Sequence, residues 1–199
     1  MEQRLAGGVA MVIGDGRGPA RAVADACAAA GAAVVVAEID EDAARAVDAA
    51  LARGPLRALV LAPVVEARSS LVDCSDELWE QALDAGLTGP FQWMRAAVPA
   101  MRDAGGGSIV VLASPGGLAP RRGSVTDAAA TGALLNLCKQ VAVEHAADHV
   151  RVNVVVPRGI DGATDAGLCD TVVFLLSGAA ELLSGAVVPV DAELAAVRA

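Results

Sequence analysis

Five consecutive apolar residues, 109–113, run directly into Ser114, and a Gly/Pro/Arg loop then leads to a long helical pattern opening near Thr126. A short apolar run bounded by turn residues suits a strand buried on both faces, as in a parallel sheet covered by helices. The pattern recurs. Apolar runs at 9–13, 33–37, 56–61, 150–156 and 186–190 alternate with helical stretches at 42–52, 75–102, 126–147 and 170–177. Such alternation predicts an α/β fold, a doubly wound parallel sheet of about six strands. In an open sheet of this kind ligands lie just beyond the carboxyl ends of the strands, so Ser114 stands where chemistry is expected.

Composition agrees with a single compact domain over residues 1–199. Of the chain, 55% is hydrophobic, with Trp79, Trp93, Phe91 and Phe174 its only aromatics besides histidine. The core is therefore filled mostly by small aliphatic side chains. A net charge of −9 argues against nucleic acid and anionic membrane surfaces as partners. Cys27, Cys74, Cys138 and Cys169 are widely spaced, which predicts reduced thiols and a cytoplasmic location. The first residues lack a long apolar signal core, and Glu181 and Pro189 interrupt the apolar stretch 171–190, which reads as a helix and a strand rather than a membrane span.

The first apolar run ends in Gly14, and Gly18 follows at the start of an Ala-rich helix, with Ala20 two positions on. Glycines between strand and helix let a backbone approach a pyrophosphate at the helix N-terminus. Arg17 suits a 2′-phosphate, and Glu38, ending the second run, suits ribose hydroxyls. A plain tight turn and a strand-end surface charge are the competing readings. His145 and His149, flanked by Glu144 and Asp148, have metal-ligand spacing but no third ligand. A solvated helix end is the preferred reading, with no metal expected.

The segments VIGDGRGPAR, LWEQALDAGLTGPFQWMRAAVPAM, GGSIVVLAS, VRVNVVVPRGI and VVPVD together resemble the short-chain dehydrogenases/reductases nearly end to end. The resemblance implies a Rossmann-like domain binding NAD(P). It also implies a strand-end Ser, a Tyr thirteen residues on that transfers the proton, a Lys four residues further that lowers the Tyr pKa, and a helix Asn. Here Ser114 is kept as a relic, Asp127 and Thr131 stand in the Tyr and Lys positions, Gly86 stands for the Asn, and the chain holds 0 Tyr. A free aspartic acid loses its proton near about pH 4, so this residue type is a poor proton donor to a carbonyl. The family's third strand has no room between Glu38 and residue 56, and its Asn-Asn-Ala-Gly loop is replaced by Leu61, Ala62, Pro63 and Val64. Only a short stretch separates Pro157 from the last helix, so the substrate lid is expected to be missing.

These departures predict a truncated, non-catalytic member, a pseudoenzyme not catalytic alone. It is expected to support or regulate an active relative in a hetero-oligomeric oxidoreductase complex acting on acyl-thioesters or other carbonyl/alcohol substrates. The surfaces expected to meet that relative, or a second copy, are 75–102, 126–147 and 170–191. Cofactor binding through Gly14, Arg17, Gly18 and Glu38 is expected to be weak or absent. The alternatives are an NAD(P)-dependent oxidoreductase with an atypical Ser114/Asp127 site, and a nucleotide-binding sensor without chemistry.

Overall fold

The computed structural model describes residues 4–63, 65, 68–119, 121–157 and 166–190. The apolar runs form β1 (Val9–Ile13), β2 (Ala33–Ala37), β3 (Leu56–Leu61), β4 (Gly107–Leu112), β5 (Val150–Pro157) and β6 (Val187–Val190). They join in one sheet of order β2-β1-β3-β4-β5-β6, every neighbouring pair parallel. Residues 38–55 hold one helix and no strand, so the sheet ends at β2.

Strand residues alternate between two cores, as the pleat requires. Val9, Met11 and Ile13 face one side of the sheet, where α2 (Ala43–Leu51), α4 (Gly89–Asp103) and α5 (Val125–Glu144) pack. Ala10 and Val12 face the other, under α1 (Gly18–Ala29) and α6 (Ala166–Leu176). The chain leaves β2, crosses β1 through α2 and enters β3. A right-handed crossover of that kind places α2 on the side of the two long helices, and Val47 and Ala50 of α2 do share a core with Trp93 and Leu134.

Local chemistry sets the helix ends. Asp42 caps α2 by accepting the Arg45 N–H at 3.0 Å. Ser75 caps α3 (Asp76–Leu83) in the same way by accepting the Leu78 N–H at 3.2 Å, and each cap satisfies a donor the first helical turn leaves unpaired. The bend expected at Gly86 and Gly89–Pro90 takes a different form. Between α3 and α4 the helix continues through a π-turn, Asp84–Thr88, in which Gly86 is tightly packed. A Cβ on Gly86 would lie 2.7 Å from Val65 Cγ2 and 2.9 Å from Ala130 Cβ. Thus α5 approaches this turn more closely than any side-chain-bearing residue allows. The last helix starts at Ala166 rather than at 170. Val64, residues 158–165 between Pro157 and α6, and the tail 191–199 with the end of the third expected partner surface lie outside the described residues.

Trp93 is a packing residue. It is fully buried, and its indole N–H donates to the Ile39 carbonyl at 2.9 Å, tying the β2–α2 loop to α4. Trp79 is partly exposed on α3. His145 ends α5 with its ring Nδ1 2.8 Å from Asp148 Oδ2, and among the described residues no group of three or more metal-ligating side chains gathers.

At the open edge, Ala33 and Ala37 exchange bonds with the β1 side through Ala33 N–H to Gly8 O and Gly14 N–H to Ala37 O. The peptide groups of Val34 and Val36 therefore face outward. Arg53, just after α2, donates its guanidinium to the Val34 carbonyl at 2.9 Å. Val36 is 50% exposed.

Candidate active-site cleft

The carboxyl ends of β1, β3 and β4 open into one cleft of about 590 Å³, a volume suited to a small organic ligand. Arg17, Gly18 and Pro19 line it beyond β1, Ala62 and Pro63 beyond β3, and Ser114 beyond β4. Asp127, from the first turns of α5, lines it opposite Ser114.

Ser114 ends β4 in extended backbone and opens a short 3-10 turn, Pro115–Gly117. Its Oγ accepts the Gly116 N–H at 3.1 Å and donates its proton to Asp127 Oδ2 at 2.7 Å. A serine hydroxyl has one proton to give, so this bond uses it. Thr131, one helical turn further along α5, donates to Asp127 Oδ1 at 3.0 Å. Gly116 provides the space that the Asp127 carboxylate occupies, since any Cβ there would overlap Oδ2. The structure thus brings together three residues that the family resemblance singled out, Ser114, Asp127 and Thr131. It joins them in a closed set in which both hydroxyl protons point at the carboxylate. Gly86 lies in the π-turn against Ala130, and it presents no side chain to the cleft.

The phosphate-binding candidates are placed less uniformly. Gly18 opens α1 with φ +46° and lines the cleft with Arg17. Gly14 lies beneath it, where a Cβ would meet Ala20 at 2.9 Å, so its role is close packing of strand on helix. Glu38 stands exposed past β2 and outside the cleft lining, its N–H donating to Glu41 Oε1 at 2.7 Å.

A dinucleotide bound in this cleft would lie against α1 at one end and near Ser114 at the other. Near α1 the glycine turn permits close approach, although Asp15 Oδ1 already accepts the Arg17 N–H at 3.0 Å and Pro19 has no N–H to offer. At the other end Thr131, four residues past Asp127, is 4% exposed, uncharged and bonded to Asp127, so this side chain offers no charge to a ligand beside Ser114.

Sequence reasoning missed Arg68, Arg121 and Ser124, which also line the cleft. The one available signal was the Arg121–Arg122 pair between Ser114 and Asp127.

The comparisons agree with this architecture. The family model described as short chain dehydrogenase matches residues 41–171, and the chain belongs to that family. An uncharacterized NAD-dependent oxidoreductase of Mycobacterium tuberculosis is 42% identical over 92 residues, 46% of this chain and 34% of that protein, so the chain spans about a third of that relative's length in the match. The trans-4-hydroxycyclohexanecarboxylate dehydrogenase of Sinomonas cyclohexanicum is 29% identical across 96% of this chain and 94% of its own length. That alignment runs over 244 positions, more than the 199 residues present, so this chain is internally shorter than that relative. Among solved structures, a Burkholderia xenovorans protein assigned to the short-chain dehydrogenases/reductases superposes with a TM-score of 0.88 at 26% identity, covering 97% of this chain and 98% of its own. A Sinorhizobium meliloti protein assigned as a short-chain alcohol dehydrogenase gives 0.89 at 27%, covering 98% and 99%.

Proposed function

We propose that this chain is a non-catalytic member of the family, a subunit that supports or regulates an active relative in a hetero-oligomeric oxidoreductase. One observation carries the reading: the Ser114 hydroxyl is spent on Asp127, whose second oxygen is taken by Thr131. Dehydrogenase chemistry needs a group that passes a proton to or from the substrate oxygen, held near the pH at which it works. The closed set offers a carboxylate acceptor and two neutral hydroxyls, with neither a phenol nor an ammonium beside them. Ser114 cannot donate to a carbonyl without giving up Asp127.

The reaction of the active partner would be alcohol/carbonyl interconversion, as the names of the relatives indicate. Its substrates would be acyl-thioesters or other carbonyl compounds. The long helices α3–α5 and the α6–β6 region are the surfaces proposed to hold the partner or a second copy. The open cleft favours a further reading in which the chain retains weak NAD(P) binding at the α1 end without using it.

The test is to purify the chain from its own cells with any partner attached, identify that partner by mass spectrometry, and assay the complex. The expected partner is a family member carrying the Tyr and Lys, and Ser114→Ala in this chain should leave the activity of the complex unchanged. Loss of activity in Ser114→Ala, with assembly intact, would show that this chain supplies chemistry through Ser114 and Asp127.

A further inference from the structure

Arg17, Arg68 and Arg121 line the same cleft, although the chain as a whole carries a net charge of −9. Among the described residues none of the three forms an ion pair. The carboxylates lining the cleft are already engaged, Asp15 by the Arg17 N–H and Asp127 by two hydroxyls. The cleft therefore gathers three guanidinium groups against two carboxylates, an excess of positive charge in an otherwise acidic chain.

Two of them are brought together by the fold. Ser69 and Ser124 form an isolated parallel bridge, and the Val125 N–H reaches the Ser69 carbonyl at 3.4 Å. That bridge ties the segment after β3, which carries Arg68, to the segment before α5, which carries Arg121. Arg17 enters the cleft from beyond β1. Val65 and Leu112 give the same region an apolar lining. Arginine forks match the planar oxygens of carboxylates and phosphates, and cations lining a low-dielectric cleft concentrate anions there.

We propose that Arg68 and Arg121 form an anion subsite that binds the carboxylate or phosphate group of a small organic ligand, with the ligand's apolar part against Val65 and Leu112. The subsite is separate from any dinucleotide contact at Gly18 and Arg17, and it needs no catalysis by Ser114.

The proposal is tested by titrating the isotope-labelled full chain with benzoate, phenyl phosphate and neutral benzyl alcohol, and following amide resonances around Ser114 and Gly116. At least one of the two anions should bind in a salt-sensitive manner while benzyl alcohol does not, and the tighter of the two identifies the anion class. Arg68→Gln with Arg121→Gln should weaken that binding by about tenfold or more, the equivalent of one charge-assisted hydrogen bond. Arg17→Gln should leave it unchanged. A parallel NADP⁺ titration should respond to Arg17→Gln and not to the double variant. Equal binding of benzyl alcohol, unchanged affinity in the double variant, or no binding of either anion at millimolar concentration overturns the proposal.

Discussion

Ser114 and Asp127 meet through a 2.7 Å hydrogen bond, with Thr131 closing the second carboxylate oxygen at 3.0 Å. Thr131 is almost fully buried, so removing the acceptor leaves a hydroxyl with little access to water. Asp127→Ala should therefore destabilise the chain by about 1–3 kcal/mol. Asp127→Asn, which keeps a carbonyl acceptor, should lose less. Urea unfolding with fluorescence detection measures both, and wild-type stability in Asp127→Ala would show that the set is not formed.

The packing around the π-turn predicts that Gly86 does not accept a larger side chain. At Gly86 the nearest obstruction includes Ala130 Cβ, which has no rotamer to move away. Overpacking of this kind costs about 1–3 kcal/mol, against a gain of about 1 kcal/mol for replacing a helical glycine by Ala. Gly86→Ala should be neutral to destabilising and Gly86→Asn clearly destabilising. Each lost kcal/mol should lower Tm by about 2–4 °C in a thermal melt.

Burial pushes the thiols of Cys27 and Cys138 up to about 12, with neighbouring Cys169 adding to the effect at Cys27. Both groups hold their protons more tightly folded than unfolded. Their stabilisation is complete below the unfolded thiol pKa of about 8.5 and is lost as pH rises through the folded value. Stability should fall between about pH 9 and 12, with a slope of up to about 1.4 kcal/mol per pH unit for each thiol. Neither thiol should react with a disulfide reagent before unfolding, and prompt labelling of all four cysteines at pH 8 would contradict this.

On the outer surface of the long helices, Phe91 is 41% exposed on α4 and Val143 75% exposed on α5. These positions test assembly better than Leu137 or Val141, which pack partly against the chain's own core. Phe91→Asp should weaken association with a partner or second copy by burying an unpaired charge, while leaving the fold intact. Native mass spectrometry gives the oligomer and circular dichroism the fold. Unchanged assembly would remove α4 from the interface.

The bounds of β1, β2 and β3 were legible because each apolar run stops at a Gly, an acid or a Pro turn. The position of α2 followed from handedness once the shortened crossover was read. That Ser114 and Asp127 share a site was legible only through the family resemblance, which sets a strand-end Ser beside the residue thirteen positions on. The hydrogen bond from Thr131 was not, since only rotamers decide where a hydroxyl points. The tight packing in the π-turn escaped because it depends on how closely Ala130 and Val65 approach Gly86. Arg68 and Arg121 escaped because they belong to irregular loops, where no periodicity announces which side chains converge, and the Ser69–Ser124 bridge that joins them is a tertiary feature.

A sheet that stops at β2 leaves a five-residue edge of alanine and valine, half-buried except at the exposed Val36 and the buried Ala37. Such an edge is a template on which another chain can nucleate a strand, and a cation placed on it is a common deterrent. Arg53 fills that office by covering the outward carbonyl of Val34. Arg53, just past α2, is thus a gatekeeper of this edge, and Arg53→Ala should raise the tendency of the molecules to stack edge to edge, read as light scattering at high concentration.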